Sequence, residues 1–269
     1  MTKIDLDTIV KTLSKLPLAD KVEVMQQMDN RVLLDYSKEI WLRCNTVVEL
    51  RTRSNSCKKE PETIEWLQES LEPGDVFYDV GANVGAYSLV ASKILDSIKV
   101  YAFEPSYSSF FDLVENIKIN QCESTIHPIN IALSDKSSIG VFNYSSTDAG
   151  EASHAYGVAL DQYGDKFKPV MTQIMASYSL DDFVEYIDPP TIIKIDVDGI
   201  EKDILLGGRK ILTSGGVRTI LVELVDGDSR TEEVIELLDG MGFDIKSSHP
   251  YTYGISNSTN YIFKKMLVV

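Results

Sequence analysis

Carboxylates end successive strand-like runs in this chain, at Asp79, Glu104, Asp135, Asp196, Asp198 and Glu223, and a glycine turn sits beside the first of them. The most informative stretch is VFYDVGANVGAYS, residues 76–88. Its β-type apolar residues Val76, Phe77, Tyr78 and Val80 run into Asp79 and then into Gly81-x-x-x-Gly85. Tyr87, Leu89, Val90 and Ile94 follow at helical spacing. A strand, a glycine turn and a helix start in that order make a nucleotide-type corner. Glycine lets the backbone approach a ligand, and a helix start offers unpaired N–H groups.

The ligand is narrowed by what the corner lacks. A phosphate-cradling loop would show two glycines five apart followed by Lys-Ser/Thr. A dinucleotide turn would need glycine where Asn83 stands. Asp79 would repel a pyrophosphate, but it suits a cationic group such as the amino-acid end of S-adenosylmethionine, reached directly or through water. Glu104, at the end of the next strand, is placed to accept both ribose hydroxyls. Ala82, Pro105 and Ser106 flank these positions and join the candidate cofactor site. Asp135, in ALSDKSS, either accepts an adenine amino group or is a turn residue before Lys136.

A second constellation lies in IIKIDVDGIEKDILLGG, residues 192–208. The run is apolar except for Lys194 and ends in Asp196, Asp198 and, at a helix start, Glu201. Asp196 and Asp198 face similar sides if the chain stays extended. Helix capping accounts for one of the three. Crowding them costs repulsion unless a cation or a proton offsets it. Glu223 ends the following strand-like run and needs a partner, which Lys194 or a metal could supply. His154, in an irregular stretch, is a candidate base or acceptor ligand. His127 and His249 precede prolines and are expected in turns. Cys44, Cys57 and Cys122 are odd in number and widely spaced, so they read as ordinary thiols rather than a disulfide framework or a zinc cluster.

The elements that must position these residues alternate from residue 75 onward, which predicts a mostly parallel α/β sheet covered on both faces. Strands are expected at 76–80, 98–103, 125–133, 191–195 and 218–224, with a closing hairpin at 243–246 and 261–267 and a more exposed strand at 139–144. Helices are expected at 86–95, 110–120, 180–187, 200–212 and 231–241. Residues 1–60 read as a helical extension or cap, with helices at 4–16, 22–28 and 32–42 and a short strand at 47–50; the main domain is 61–269. The stretch 145–172 has no period, which marks a functional insert. At 269 residues the chain suits one sizeable domain with an appendage. A net charge of −15 weighs against a nucleic-acid partner. Arg51, Arg53, Lys58 and Lys59 make the only basic cluster. No run approaches the ~18 apolar residues of a membrane span, and the N-terminus lacks signal-peptide character, so a cytoplasmic location is expected.

VFYDVGANVGAYS, YAFEPSYSSFFDLVENIKIN, the ALSD turn and IKIDVDGIEKDILLGG resemble, in order, the motifs of FkbM-type S-adenosylmethionine-dependent methyltransferases. The resemblance spans about residues 60–225. It implies the class I, Rossmann-like fold of seven mostly parallel strands, and methyl transfer to hydroxyls of sugars, glycolipids, polysaccharides or polyketides. It implies cofactor contacts at Asp79, Gly81, Asn83, Gly85, Glu104 and Asp135. The family commonly has Glu where Asp198 stands. Nitrogen-methylating enzymes of this fold carry Asn/Asp-Pro-Pro-Tyr/Phe after the fourth strand, whereas Asp188-Pro189-Pro190 precedes that strand here, which favours an oxygen acceptor. The expected roles are Asp196 as base or metal-holding carboxylate, Asp198 and Glu223 positioning it, Lys194 tuning their charge and His154 a reserve base. A divalent cation such as Mg²⁺ would rest on Asp196 or Asp198 and Glu223. The expected partner is a small-molecule or glycan acceptor, and the N-terminal helices are candidates for an acceptor cap or a homo-oligomer contact. An RNA or protein acceptor and a non-catalytic cofactor-binding module are the alternatives.

Overall fold

The computed structural model describes residues 5–152, 154–252 and 257–266. The main sheet has seven strands: β1 (Val76–Val80), β2 (Lys99–Phe103), β3 (Ile126–Ile129), β4 (Ile192–Ile195), β5 (Thr219–Val225), β6 (Phe243–Pro250) and β7 (Ser258–Lys265). Their spatial order is β6-β7-β5-β4-β1-β2-β3. Only β7 runs against its neighbours β5 and β6; the remaining pairs are parallel. The chain steps outward from β1 to β3 and then returns to lay β4 on the other side of β1. That reversal opens a crevice beyond the carboxyl ends of β1 and β4, where open α/β sheets hold ligands.

Period-2 alternation assigns each strand residue to a face. Phe77, Val100, Ala102, Ile192 and Leu221 pack on one side against Leu89 and Val90 of helix α1 (Ala86–Ile94), Leu113 and Ile117 of α2 (Tyr107–Ile119), and Trp66 and Leu67. Tyr78, Val80, Phe103, Ile193, Ile195 and Val222 pack on the other, against Ile204 and Leu205 of α3 (Glu201–Gly207) and Leu238 of α4 (Ser229–Gly240). The same alternation puts Asp79, Lys194 and Glu223 on the first face, with Asp79 and Lys194 directly paired. A four-stranded sheet, made of Ala132–Leu133, Met171–Tyr178, Ser138–Tyr144 and Ala155–Tyr156 in that order, flanks the main one.

Several sequence expectations are corrected. Residues 32–42 do not form a helix: Arg31–Leu33 and Trp41–Arg43 make a two-stranded sheet. The second strand is held by the side chains of Asn120 and Asn116, which accept from the Trp41 and Arg43 N–H groups at 2.9 and 2.7 Å. The strand expected at 47–50 is the helix Val47–Arg51, started by a Thr46/Glu49 capping box that outweighs its β-branched residues. The strand expected at 125–133 breaks at Asn130 into β3 and Ala132–Leu133, which belong to different sheets. The helix expected at 200–212 divides into Glu201–Gly207 and Arg209–Thr213. His127 and His249 lie in β3 and β6, the two edge strands, where their following prolines need no ladder partner. Leu267, the expected end of the last strand, lies outside the described residues.

The chain forms two compact units, Met1–Arg31 and Val32–Val269. In the smaller, the helices Leu6–Ser14 and Leu18–Gln27 bury none of their residues. Residues 32–60 belong to the larger, where Leu34, Ile40, Leu42 and Cys57 enter the core, so the compact boundary falls earlier than residue 60. The three cysteines form no disulfide. No helix among the described residues is long and apolar enough to cross a membrane.

Candidate active site

A cavity of about 230 Å³ opens where β1, β2, β4 and β5 end, with Gly81, Asn83, Glu104, Pro105, Asp196, Asp198 and Glu223 on its wall. Gly81 is required by two facts at once. Its φ is +81°, and a Cβ there would stand 1.9 Å from the Asp196 carbonyl oxygen. Only a residue without a side chain lets the β1 turn and the end of β4 approach so closely. The Gly81 and Ala82 N–H groups both donate to the Phe103 carbonyl at 3.0 Å, which ties the turn to β2. Gly85 has φ +88°, and a Cβ there would meet Leu113 Cδ1 at 2.5 Å.

Glu104 is buried, with one carboxylate oxygen accepting the Asn83 N–H and the other the Ser106 N–H, both at 2.8 Å. Burial pushes its pKa up to about 7 against those two donors. Asp79 is fully buried and lies off the cavity wall; Oδ2 accepts from Ser88 Oγ at 2.6 Å and Oδ1 has no hydrogen-bond partner among the described residues. Burial raises its pKa, with Lys194 and Ser88 opposing. Asp135 is exposed and also off the wall, which in that region is made by Ile131, Ala132 and Leu133.

The carboxylates at the far side of the cavity are gathered by register. β4 and β5 pair through Ile195 and Val222, so the next residues, Asp196 and Glu223, stand level. Glu60 joins them from the residue before the helix Pro61–Ser70. One carboxylate oxygen from each of Glu60, Asp196 and Glu223 lies within 4.8 Å of the others. Lys194, 1% exposed, donates from Nζ to Asp196 Oδ2 at 2.7 Å and lies 4.9 Å from the Tyr87 ring centre. Burial works against its charge, but Asp196, Asp79 and Glu60 overcome that and raise its pKa. Burial also works against the charge on Asp196, and Lys194 overcomes it, so its pKa is lowered. Burial and the neighbouring Asp196 push Glu60 and Glu223 upward, so these two hold protons more readily.

Asp198 does not join the trio. The strand ends at Ile195 and the chain bends at 198–199, so Asp198 leaves the sheet's alternation. Its Oδ2 instead accepts the His154 N–H at 3.2 Å. His154 lines the cavity, with its ring against Phe142 and Tyr144. Burial lowers its pKa to about 4, so the ring is neutral. Nδ1 accepts the Ser145 N–H at 3.3 Å, which leaves the proton on Nε2, a buried atom with no partner among the described residues. In that tautomer His154 is a donor rather than a base.

The wall residues Arg53 and Asn83, with Arg230 beyond the wall, bind Gly150, Glu151 and Gln162 of the stretch 145–172. Arg53 donates from Nε and Nη2 to the Gly150 carbonyl at 2.9 and 2.6 Å, and Asn83 Nδ2 donates to the Glu151 carbonyl at 3.0 Å. Arg230 Nη2 donates to the Gln162 carbonyl at 2.7 Å. Arg53, Lys59 and Glu60 are wall residues that sequence reasoning did not assign to the site. The sole local hint was a glutamate in an N-cap place that short polar residues usually take. Two of the four residues of the basic cluster, Arg53 and Lys59, thus face the cavity, while Arg51 and Lys58 are exposed.

A seven-stranded sheet with one reversed strand, a glycine turn after β1 and a carboxylate after β2 defines the class I methyltransferase fold. Residues 79–245 match the methyltransferase FkbM domain, and the chain belongs to that family of S-adenosylmethionine-dependent methyltransferases. It is similar to the hexuronic acid methyltransferase AglP of Haloferax volcanii, 29% identical over 177 residues, which cover 65% of this chain and 66% of that protein, slightly under two thirds of its length. It is also similar to the 31-O-demethyl-FK506 methyltransferase FkbM of Streptomyces tacrolimicus, 26% identical over 203 residues, 65% of this chain and 75% of the relative. Among solved structures, TYW2 of M. jannaschii in complex with AdoMet aligns over 89% of both chains at 10% identity and a TM-score of 0.47, too distant to bear on function.

Proposed function

We propose that the cavity holds S-adenosylmethionine and that the chain methylates an oxygen of a small-molecule or glycan acceptor, a hydroxyl of a sugar, glycolipid or related natural product. The observation that carries this reading is the Glu60–Asp196–Glu223 trio, neutralised in part by Lys194, on the wall shared with Glu104 and the glycine turn. Glu104 is oriented by two backbone donors and keeps lone pairs for a ribose diol. Phe103, Ile131 and Leu133 offer an apolar slot for a base.

When bound, S-adenosylmethionine supplies a methyl group already activated by its sulfonium. The protein must then hold an acceptor oxygen in line and take its proton. The Glu60–Asp196–Glu223 trio takes that proton: Lys194 fixes Asp196, and burial raises the proton affinity of Glu60 and Glu223. Names of the relatives, one acting on a hexuronic acid and one on a 31-O-demethyl compound, agree with an oxygen acceptor.

A labelled-methyl screen over sugar nucleotides, uronic acids and glycans tests the reading. Label in an alkali-stable ether is expected; label on nitrogen, or cofactor binding without transfer to any acceptor, contradicts it. An RNA acceptor is disfavoured by the net charge of −15 and predicts salt-sensitive RNA binding instead. The close spacing of the trio also favours a second reading, a divalent cation that lowers the hydroxyl pKa. Turnover that survives a chelator would exclude that version and leave the proton relay.

A further inference from the structure

Six carboxylates line the cavity (Glu60, Glu104, Glu151, Asp196, Asp198 and Glu223) against two cations, Arg53 and Lys59. Lys59 Nζ lies 5.7 Å from the centre of the Tyr251 ring. Arg53 is different. Its Nε and Nη2 both point to one carbonyl, that of Gly150, and among the described residues no carboxylate lies within ion-pairing distance of it. Nη1 keeps its donors. A half-buried guanidinium in a predominantly acidic cavity, hydrogen-bonded among the described residues only to a neutral carbonyl, keeps donors that can bind an anion.

Its position says which anion. Arg53 binds the carbonyl of Gly150 and Asn83 binds the carbonyl of the next residue, Glu151. Consecutive residues are about 3.8 Å apart, so the guanidinium stands beside the Gly81–Gly85 turn. It is also near enough to both Glu104 and Asp196 to lower their pKa values. It therefore lies at the turn, between the carboxylate placed for the ribose and the proton-accepting trio. A ligand whose ribose rests on Glu104 and whose sulfonium faces Asp196 carries its carboxylate on the arm beyond the sulfur, which has to settle along the same turn, beside Arg53.

Resting on the cofactor reading of the cavity, we infer that Arg53 is the positioning residue for the α-carboxylate of the bound S-adenosylmethionine. The guanidinium receives the carboxylate through Nη1 while its other donors keep residues 150–151 closed over the turn. The acidic wall alone would attract the ammonium and the sulfonium and repel the carboxylate. Arg53 reverses that repulsion, so the amino-acid end can enter as a zwitterion, and one side chain couples its arrival to closure of the insert.

The test is calorimetric titration with three ligands: S-adenosylhomocysteine, its decarboxylated analogue, and 5′-methylthioadenosine, which lacks the amino-acid end. Wild type is expected to bind S-adenosylhomocysteine about 10- to 100-fold more tightly than the decarboxylated analogue, the range of a charge-assisted pair. Arg53→Met should lose that discrimination and bind 5′-methylthioadenosine within twofold of wild type, with Arg53→Lys in between. Unchanged S-adenosylhomocysteine affinity in Arg53→Met, including the case in which only acceptor affinity falls, overturns the proposal. So does equal weakening of all three ligands, which marks Arg53 as a latch of the insert alone. If Arg53→Met does not fold, the wild-type comparison still decides, since equal affinity for the carboxylated and decarboxylated ligands refutes it. Failure of wild type to bind any of the three would instead strike the cofactor reading itself.

Discussion

Replacing Gly81 by alanine is the perturbation whose outcome the geometry constrains most tightly. Two costs combine. A left-handed backbone costs an alanine roughly 1–2 kcal/mol. The added Cβ would stand 1.9 Å from the Asp196 carbonyl oxygen, where ordinary contact begins at 3.4 Å, so the β1 turn and the end of β4 must part by ~1.5 Å. Overpacking of that kind costs about 1–3 kcal/mol, for a total of roughly 2–5 kcal/mol. Gly74→Ala supplies the control, since Gly74 has φ +89° but open space where a Cβ would go. It should lose only the backbone part, about 1–2 kcal/mol. Denaturant unfolding of the two variants isolates the contact term. The displacement falls between the cofactor turn and Asp196, and a misplacement near 1 Å can cost about 100-fold in rate. Gly81→Ala should therefore lose S-adenosylhomocysteine affinity and turnover well beyond its loss of stability, while Gly74→Ala keeps both. Gly81→Ala as stable as Gly74→Ala, with wild-type cofactor affinity, would refute the reasoning.

Other outcomes follow from the same geometry. Asp196→Asn should lower single-turnover methyl transfer about 10²- to 10⁴-fold, the usual worth of a general base, with S-adenosylhomocysteine affinity little changed. Because Glu104 titrates near about 7 in the ligand-free protein and a ribose diol prefers the carboxylate, cofactor affinity measured by calorimetry should be level above that pH. It should fall by up to about tenfold per unit below it, and Glu104→Gln should flatten the profile. Ligand-free stability runs the other way: the folded chain holds protons on Glu104, raised from 4.5 to about 7, and on Glu201, raised by burial to about 8. That contribution is full at low pH and is lost as pH rises through those values, so unfolding at pH 6 should need more denaturant than at pH 8. Size-exclusion chromatography of the whole chain and of a chain lacking residues 1–30 tests the proposed N-terminal oligomer contact: a smaller assembly is expected on removal, and an unchanged one refutes it.

What could be read from the chain alone was whatever local pattern governs. β1, the glycine turn and α1 are written contiguously, and the switch to α/β alternation after residue 75 predicted the parallel sheet and its crevice. Lys194, Asp196 and Glu223 were legible because strand alternation and strand ends are local properties. Glu60 and Arg53 were not, because the fold brings them from the segment before the sheet, more than a hundred residues from Asp196 in sequence. Asp198 parts from Asp196 because their shared side requires extended chain, and the strand ends at Ile195. The β-branched Val47 and Val48 suggest a strand at 47–50, but the Thr46/Glu49 capping box, two local residues, starts a helix there. His154 as a base was a reading of residue type alone, and only the Ser145 N–H on Nδ1 shows which nitrogen carries the proton.

The most direct measurement of the central claim is a crystal structure of the chain with S-adenosylhomocysteine. The account predicts the ribose hydroxyls on Glu104, the amino-acid end at the Gly81–Gly85 turn beside Arg53, and the sulfur directed at Asp196 within the Glu60–Asp196–Glu223 trio. A ligand bound elsewhere, or with its sulfur turned away from that trio, would contradict it.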